Sequence, residues 1–284
     1  MHTRSKSGFA QPNSQFNLSV TAPTAISPIP SSYRVALKDP DWGAAMLEEY
    51  NALLQNDTWS LVSHLAGANV VSGKWIFRHK FNTDGTLARY KARWVLHGFT
   101  QQAGVDYGET FSPIVKPATI RVVLSLAAGS SWPIHQLDVK NAFLHGHLAE
   151  TVYSTQPAGF IDTARPRDVC RRNRSLYGLK QAPRAWFARF TSYLLSLGFA
   201  ASKADSSLFS LHCGNDTAYL LLYVDDIILT ASTATFLESI ISALHREFSM
   251  TDMGSVHHFL GINVHHTTDG LHLSLEQYAL EILE

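Results

Sequence analysis

Tyr219-Leu-Leu-Leu-Tyr-Val-Asp-Asp-Ile-Ile-Leu-Thr230 places two adjacent carboxylates, Asp225 and Asp226, in the middle of an otherwise apolar run. Such a run reads as two buried strands meeting at a turn. Taking unpaired charge out of water costs several kcal/mol, so carboxylates held there call for something positive beside them. Hard divalent cations such as Mg²⁺ take oxygen ligands and keep open positions for substrate phosphates, which suits a strand-end aspartate pair to phosphoryl transfer. The dipeptide alone more often marks an exposed turn. Four apolar residues before Tyr223 and three after Asp226 argue for the buried reading.

A third carboxylate stands in Gln136-Leu-Asp138-Val-Lys-Asn-Ala-Phe-Leu144, near the end of the strand-like run Ile134–Val139. Alone it reads equally well as a surface or helix-capping aspartate. Combined with Asp225 and Asp226 it completes the set that clamps two metal ions, one activating a primer hydroxyl and the other neutralising a triphosphate leaving group.

Outward from these segments, 284 residues with 45% hydrophobic content suffice for a sizeable core. Basic and acidic residues balance at 23 each, so any electrostatic footprint for nucleic acid must be local. Cys170 and Cys213 lack metal-ligand spacing, which argues against a zinc site or disulfide framework and fits a reducing compartment. No apolar run approaches the roughly 18–20 residues of a membrane span, and no signal-peptide core opens the chain. An intracellular protein with no membrane partner is expected.

Residues 1–32, rich in Ser, Pro, Thr, Asn and Gln, read as a flexible leader, with one folded unit over 33–284. Asp39 caps a helix with Pro40 at its first position, and Trp42, Met46, Tyr50, Leu53 and Leu54 follow as a core stripe. Val70–Phe81 and Leu87–Leu96 read as a hairpin turning at Asp84-Gly85. Helices are expected over Pro117–Ala128, over Pro183–Leu197 with Gly198 as terminator, and over Phe236–Phe248. Val256–Val264 reads as a strand, Asp269-Gly270 as a second hairpin turn, and Gln277–Glu284 as the start of a helix.

Tyr-Val-Asp-Asp together with Leu-Asp-Val-Lys-Asn-Ala-Phe-Leu resembles the reverse transcriptases, and the connecting text resembles their copia-type branch, carried by retrotransposon polyproteins. The same resemblance runs through Tyr90-Lys-Ala-Arg-Trp-Val95, Glu109-Thr-Phe-Ser-Pro-Ile-Val-Lys-Pro117, Val152-Tyr153, Gln156-Pro-Ala-Gly-Phe160, Ser175-Leu-Tyr-Gly-Leu-Lys-Gln-Ala-Pro-Arg-Ala-Trp186 and Phe259-Leu-Gly-Ile262. It covers the chain from about Asp39 to the end. It implies an α+β right-hand polymerase with palm and fingers and a truncated thumb. The implied activity is RNA-directed DNA polymerisation: deoxynucleoside triphosphates added to a primer on an RNA or DNA template, with two Mg²⁺ ions or Mn²⁺ in their place. Integrase and RNase H regions of a polyprotein are implied partners outside this chain. The implied location is cytoplasmic, within a virus-like particle, or nuclear.

Residue by residue, Asp138 resembles the first palm carboxylate and Asp225 and Asp226 the palm-hairpin pair. Phe143 stands where such enzymes place a bulky side chain under the sugar, unless it is a plain core aromatic. Gly178, with Lys180, Gln181 and Pro183, resembles the segment that lets backbone approach template and nucleotide, where a Cβ would clash. Phe259, Leu260 and Gly261 resemble the primer grip, although a strand turning at a glycine looks the same.

Charge supports this apart from the family. Six basic residues lie between Lys74 and Arg93 against Asp84 alone, and eight between Arg165 and Arg189 against Asp168 alone. These blocks suit triphosphate and template-primer phosphates, with Lys91 and Arg93 as the triphosphate contacts and Trp75, Tyr90, Trp94, Tyr177 and Trp186 interleaved as stacking surfaces; a solvated basic face is the bland alternative. The sequence departs from the branch at His97, where Lys or Arg is usual, and at Thr251, which replaces a lysine often seen before the primer-grip segment. The rival reading is therefore a catalytically decayed copy that only binds nucleic acid.

Overall fold

Asp39 acts as its position predicts. In the computed structural model, which describes residues 26–82, 84–267 and 270–275, a single turn Tyr33–Ala36 (α1) precedes Pro40–Gln55 (α2). The Asp39 carboxylate accepts from the N–H groups of Asp41 and Trp42 at 3.0 and 3.1 Å, filling two of the free donors at the start of α2. Next come Trp59–Val62 (β1), Val70–Val71 (β2) and the hairpin Gly73–Phe81 (β3) and Leu87–Leu96 (β4). Pro117–Gly129 (α3) leads to Ile134–Val139 (β5), and after Tyr153–Ser154 (β6) and Val169–Arg172 (β7) comes Ala182–Ser196 (α4). Ala200–Ala201 (β8), Leu208–Cys213 (β9), Asp216–Tyr223 (β10) and Asp226–Ala231 (β11) lead to Ala234–Glu247 (α5). The last described elements are Met250–Ser255 (β12), His258–Phe259 (β13), Ile262–Thr267 (β14) and Gly270–Ser274 (β15).

The central sheet has the order β12-β5-β11-β10-β9-β8, antiparallel throughout. Its middle strands are covered on both faces, which is why they read as apolar runs without alternation. Leu137, Val139, Leu220, Leu222, Ile227 and Leu229 pack against α4 and α5, on Trp186, Phe190, Leu194, Ile240 and Phe248. Ile134, Leu221 and Ile228 point the other way, onto Val123, Leu124, Val256 and Phe259. A second layer, the fingers, joins α2 to the β3–β4 hairpin through Trp42, Met46, Leu53, Trp75 and Trp94, beside the small sheet β1-β7-β6-β2.

Glycines let the end of β4 meet the segment before α4. Gly178 has φ 92°, and a Cβ on it would lie 2.0 Å from the Leu96 carbonyl oxygen. A Cβ on Gly98 would lie 2.0 Å from the Gly178 carbonyl oxygen. Glycine is required at both positions because backbone touches backbone.

Several expectations shift. Val70 and Val71 leave the hairpin and pair in parallel with Tyr153 and Ser154. The run 256–264 is two strands turning at Leu260 and Gly261, both with positive φ. Strand β12 has no sequence signal, since Met-Thr-Asp-Met-Gly-Ser carries neither alternation nor β-branched density. Leu54 is 48% exposed rather than core, and Tyr50 is half-buried. Within the expected leader, the Ser27 amide donates to Tyr90 Oη and the Trp42 indole donates to the Pro28 carbonyl, each at 2.9 Å, so these residues lie on the fingers. Gly198 ends α4 with φ 94°, as expected. Thr267 pairs with Gly270, but the turn at Asp269 and the helix expected over 277–284 lie outside the described residues.

Candidate active site

The strand register brings the three aspartates to one end of the central sheet. Asp226 in β11 is the Cα partner of Asp138 in β5, and Asp138 is in turn the partner of Thr251 in β12. Asp225 sits at the β10–β11 turn, where its carbonyl accepts from the Val139 N–H at 2.8 Å. Val224, just before it, has φ 53°. That is a costly backbone for a β-branched residue, about 1–3 kcal/mol, and persists only where neighbours impose it.

Asp138 and Asp225 line a cleft of about 720 Å³ together with Lys140, Asn141 and Thr251. Lys80, Arg89, Lys91 and Arg93 of the β3–β4 hairpin form the opposite wall, with Glu49 of α2 behind them. The walls are therefore opposite in charge. Burial, and next the charge on Asp225, hold the Asp138 carboxyl above its usual range, while Lys91 and Arg93 draw it back. Burial and the charges on Asp225 and Asp138 push Asp226 up to about 6. Burial, followed by Arg93, lowers the Lys91 ammonium. Glu49, only 7% exposed, is pushed up by burial to about 7, although the Trp94 amide at 3.4 Å and the charge on Arg93 oppose this.

Among the described residues no three His, Cys, Asp or Glu side chains converge tightly enough to enclose an ion unaided. Nor does Asp138, Asp225 or Asp226 form an ion pair among them. Mg²⁺ needs only one or two carboxylates and completes its shell with water and substrate phosphates. A half-buried, all-oxygen set without a cationic side chain paired to it among the described residues fits such an ion.

The other predicted residues divide. Lys91 and Arg93 reach the cleft, and the Arg93 guanidinium lies 4.2 Å over the Tyr177 ring. Phe143 meets Tyr177 edge-on at 5.0 Å, one layer behind the cleft, touching both main cores. Asn141, with φ 52°, turns the chain out of β5 to bring it there. Gly178 is not on the cleft wall, and its lack of a Cβ serves the joint with Leu96. Lys180 is exposed, its Nζ 3.0 Å from Tyr107 Oη. Pro183 opens α4 and lies beside Val224.

Two contacts need correction. Gln181 is 2% exposed, donating to the Asp106 carbonyl at 2.8 Å and accepting from the Gln101 amide at 3.0 Å, so it ties a loop to α4 and faces no template. Phe259 is 1% exposed and belongs to the core under α3, leaving Leu260 and Gly261 as the outward part of that turn. The basic block also splits, since Arg171 is exposed but Arg172 is buried over Trp59 with its Nε donating to Ser154 Oγ at 2.9 Å. Sequence reasoning missed Glu49, and it placed among the stacking surfaces Trp75, Trp94 and Trp186, which are all buried. Glu49 had a signal, because it falls three residues after Met46 on the buried stripe of α2.

The layers and the acidic end of the sheet define a palm-and-fingers protein of the right-hand polymerase class. The family described as reverse transcriptase (RNA-dependent DNA polymerase) matches residues 56–284, and the chain belongs to that family. It is 47% identical over 287 residues to the retrovirus-related Pol polyprotein from transposon RE1 of Arabidopsis thaliana, a match covering 100% of this chain and 19% of that protein. It is 45% identical to the RE2 polyprotein of the same plant, covering 100% and 19%, and 40% identical to the TNT 1-94 polyprotein of Nicotiana tabacum, covering 90% and 20%. These bear out the copia-type resemblance; the chain spans about a fifth of the length of these relatives. A foamy viral protease-reverse transcriptase solved in complex with double-stranded DNA aligns at 15% identity with a TM-score of 0.41, covering 85% of this chain and 36% of that one. Among the described residues no helix is long and apolar enough to cross a membrane.

Proposed function

We propose that this chain is the RNA-directed DNA polymerase unit of a copia-type retrotransposon polyprotein, extending a primer with deoxynucleoside triphosphates on an RNA or DNA template. One observation supports the reading: Asp138 and Asp225 at the end of the palm sheet face a basic hairpin across one cleft, with Asp226 paired beside Asp138 in the neighbouring strand. Asp138, Asp225 and Asp226 would hold two divalent ions. When bound, those ions supply activation of the primer hydroxyl and neutralisation of the leaving pyrophosphate. Lys91 and Arg93 bind the triphosphate, with Arg93 kept flat by the Tyr177 ring. Phe143, through its edge contact with Tyr177, sets the wall against which the sugar packs. Lys180 and the turn at Leu260 and Gly261 face template and primer. On this reading residues 33–284, with Ser27 and Pro28 held against Tyr90 and Trp42, form one polymerase unit that acts inside the cell beside other polyprotein regions.

Primer extension on an RNA template, with Mg²⁺ and purified folded protein, tests this. Template-dependent product is expected. Binding of template-primer with no extension in Mg²⁺ or Mn²⁺ would instead establish the decayed copy that only binds nucleic acid.

A further inference from the structure

Left-handed backbone at a hairpin tip normally recruits Gly, Asn or Asp. Here the tip between Tyr223 and Asp225 is Val224, with φ 53°. Its conformation must be imposed from outside the turn. Two consecutive carbonyls are pinned from different elements: the Trp186 indole Nε1–H of α4 donates to the Val224 carbonyl at 2.6 Å, and the Val139 amide of β5 donates to the Asp225 carbonyl at 2.8 Å. Trp186 itself cannot swing. It is 1% exposed and wedged against Phe190, Phe248 and His145, with ring centroids 5.1, 5.4 and 5.8 Å away. Gly146 allows the close approach behind it, since a Cβ there would lie 2.8 Å from the Trp186 amide nitrogen.

We infer that Trp186 is a positioning residue: through the Val224 carbonyl, its indole N–H holds the strained hairpin tip in the conformation that keeps Asp225 facing the cleft beside Asp138. Its geometric part stands alone, and its consequence for turnover rests on the polymerase reading. Loss of the indole donor frees Val224 to relax toward negative φ, and Asp225, the next residue along the chain, turns with it.

A double-mutant cycle separates this role from core packing. Trp186→Phe keeps an aromatic ring in the core and removes the donor, while Val224→Gly removes the strain that the donor opposes. Trp186→Phe is expected to lower kcat about ten-fold while leaving KM for deoxynucleotide within about two-fold. In protein already carrying Val224→Gly, the same change is expected to cost less than about two-fold. Equal losses in both backgrounds, or an unimpaired Trp186→Phe, overturn the inference. Calorimetric titration of Mn²⁺ into the same four proteins reads the cycle without turnover. If the unsubstituted chain extends no primer, the polymerase reading falls, and the Mn²⁺ cycle still decides the positioning role. Should Trp186→Phe not fold, indole hydrogen exchange in the unsubstituted protein decides: Trp186 Nε1–H should exchange more slowly than that of Trp94, which is buried without a hydrogen-bond partner among the described residues. Equal or faster exchange overturns the inference.

Discussion

Asp225→Asn or Asp226→Asn should abolish primer extension while template-primer affinity changes little, because neither side chain belongs to the basic wall; extension persisting in both would remove the site assignment. Asp226→Asn carries a second expectation. The fold raises this carboxyl to about 6, so it binds the proton more tightly than the unfolded chain does, and the stability it contributes is present at low pH and lost as pH rises through about 6. The variant should therefore melt no lower than the parent at pH 8 without metal. Glu49 follows the same sign: its contribution is full below about 4.5 and lost as pH rises through about 7. Glu49→Gln should flatten the pH dependence of the melting midpoint between pH 5 and 8, a difference of order 1–3 kcal/mol. Superimposable profiles would show that Glu49 keeps an ordinary proton affinity. Phe143→Val should admit ribonucleotides in single-nucleotide extension, since valine is too short to meet the Tyr177 edge and the wall recedes; unchanged rejection by active enzyme makes Phe143 a core aromatic. Asp225 and Asp226 were legible as a candidate pair because carboxylates inside an apolar run are a local contradiction, whereas Asp138 joined them only in combination. Gln181 and Phe259 were not, because the partners that bury them, Asp106 and Gln101 for one and the α3 face for the other, are distant in the chain.

At the level of elements, caps and turns carried most of the readable information: Asp39 before α2, Gly198 after α4, and Asp84-Gly85 in the long hairpin. What stayed hidden were pairings made by short strands whose partners lie far away, such as β2 with β6 and β12 with β5. The strand β7 shows what this means for charge. Its residues alternate sides, so Arg171 faces water while Arg172 lies inside, its Nη atoms without hydrogen-bond partners among the described residues and its basicity lowered by burial to about 10. Arg171→Ala with Arg174→Ala should reduce the slope of log affinity for template-primer against log salt by about one for each phosphate no longer neutralised. Arg172→Met should leave that slope alone and be neutral or stabilising, because it fills similar space without a buried unpaired charge. A slope change from Arg172→Met would mean that this side chain reaches phosphate.

For the molecule as a whole, the joint at Gly98 and Gly178 ties the end of β4 to the segment that leads into α4. Gly178→Ala would force a Cβ against the Leu96 carbonyl at a φ that L residues avoid, so loss of about 1–3 kcal/mol or more in denaturant midpoints is expected, with protease cutting near this joint. Unaltered stability would show that the joint can slide. The sheet order has another consequence, one for synthesis on the ribosome. Strand β5, which carries Asp138, is flanked by β11 and β12, both made much later in the chain. At typical elongation speeds the stretch separating β5 from β11 takes roughly 4–17 s to emerge. For that interval Ile134, Leu137 and Val139 lie on a strand with neither neighbour in place, open to any other extended chain it meets. A nascent chain released before Asp226 appears would hold the first aspartate on a bare strand, prone to aggregate before it could ever catalyse.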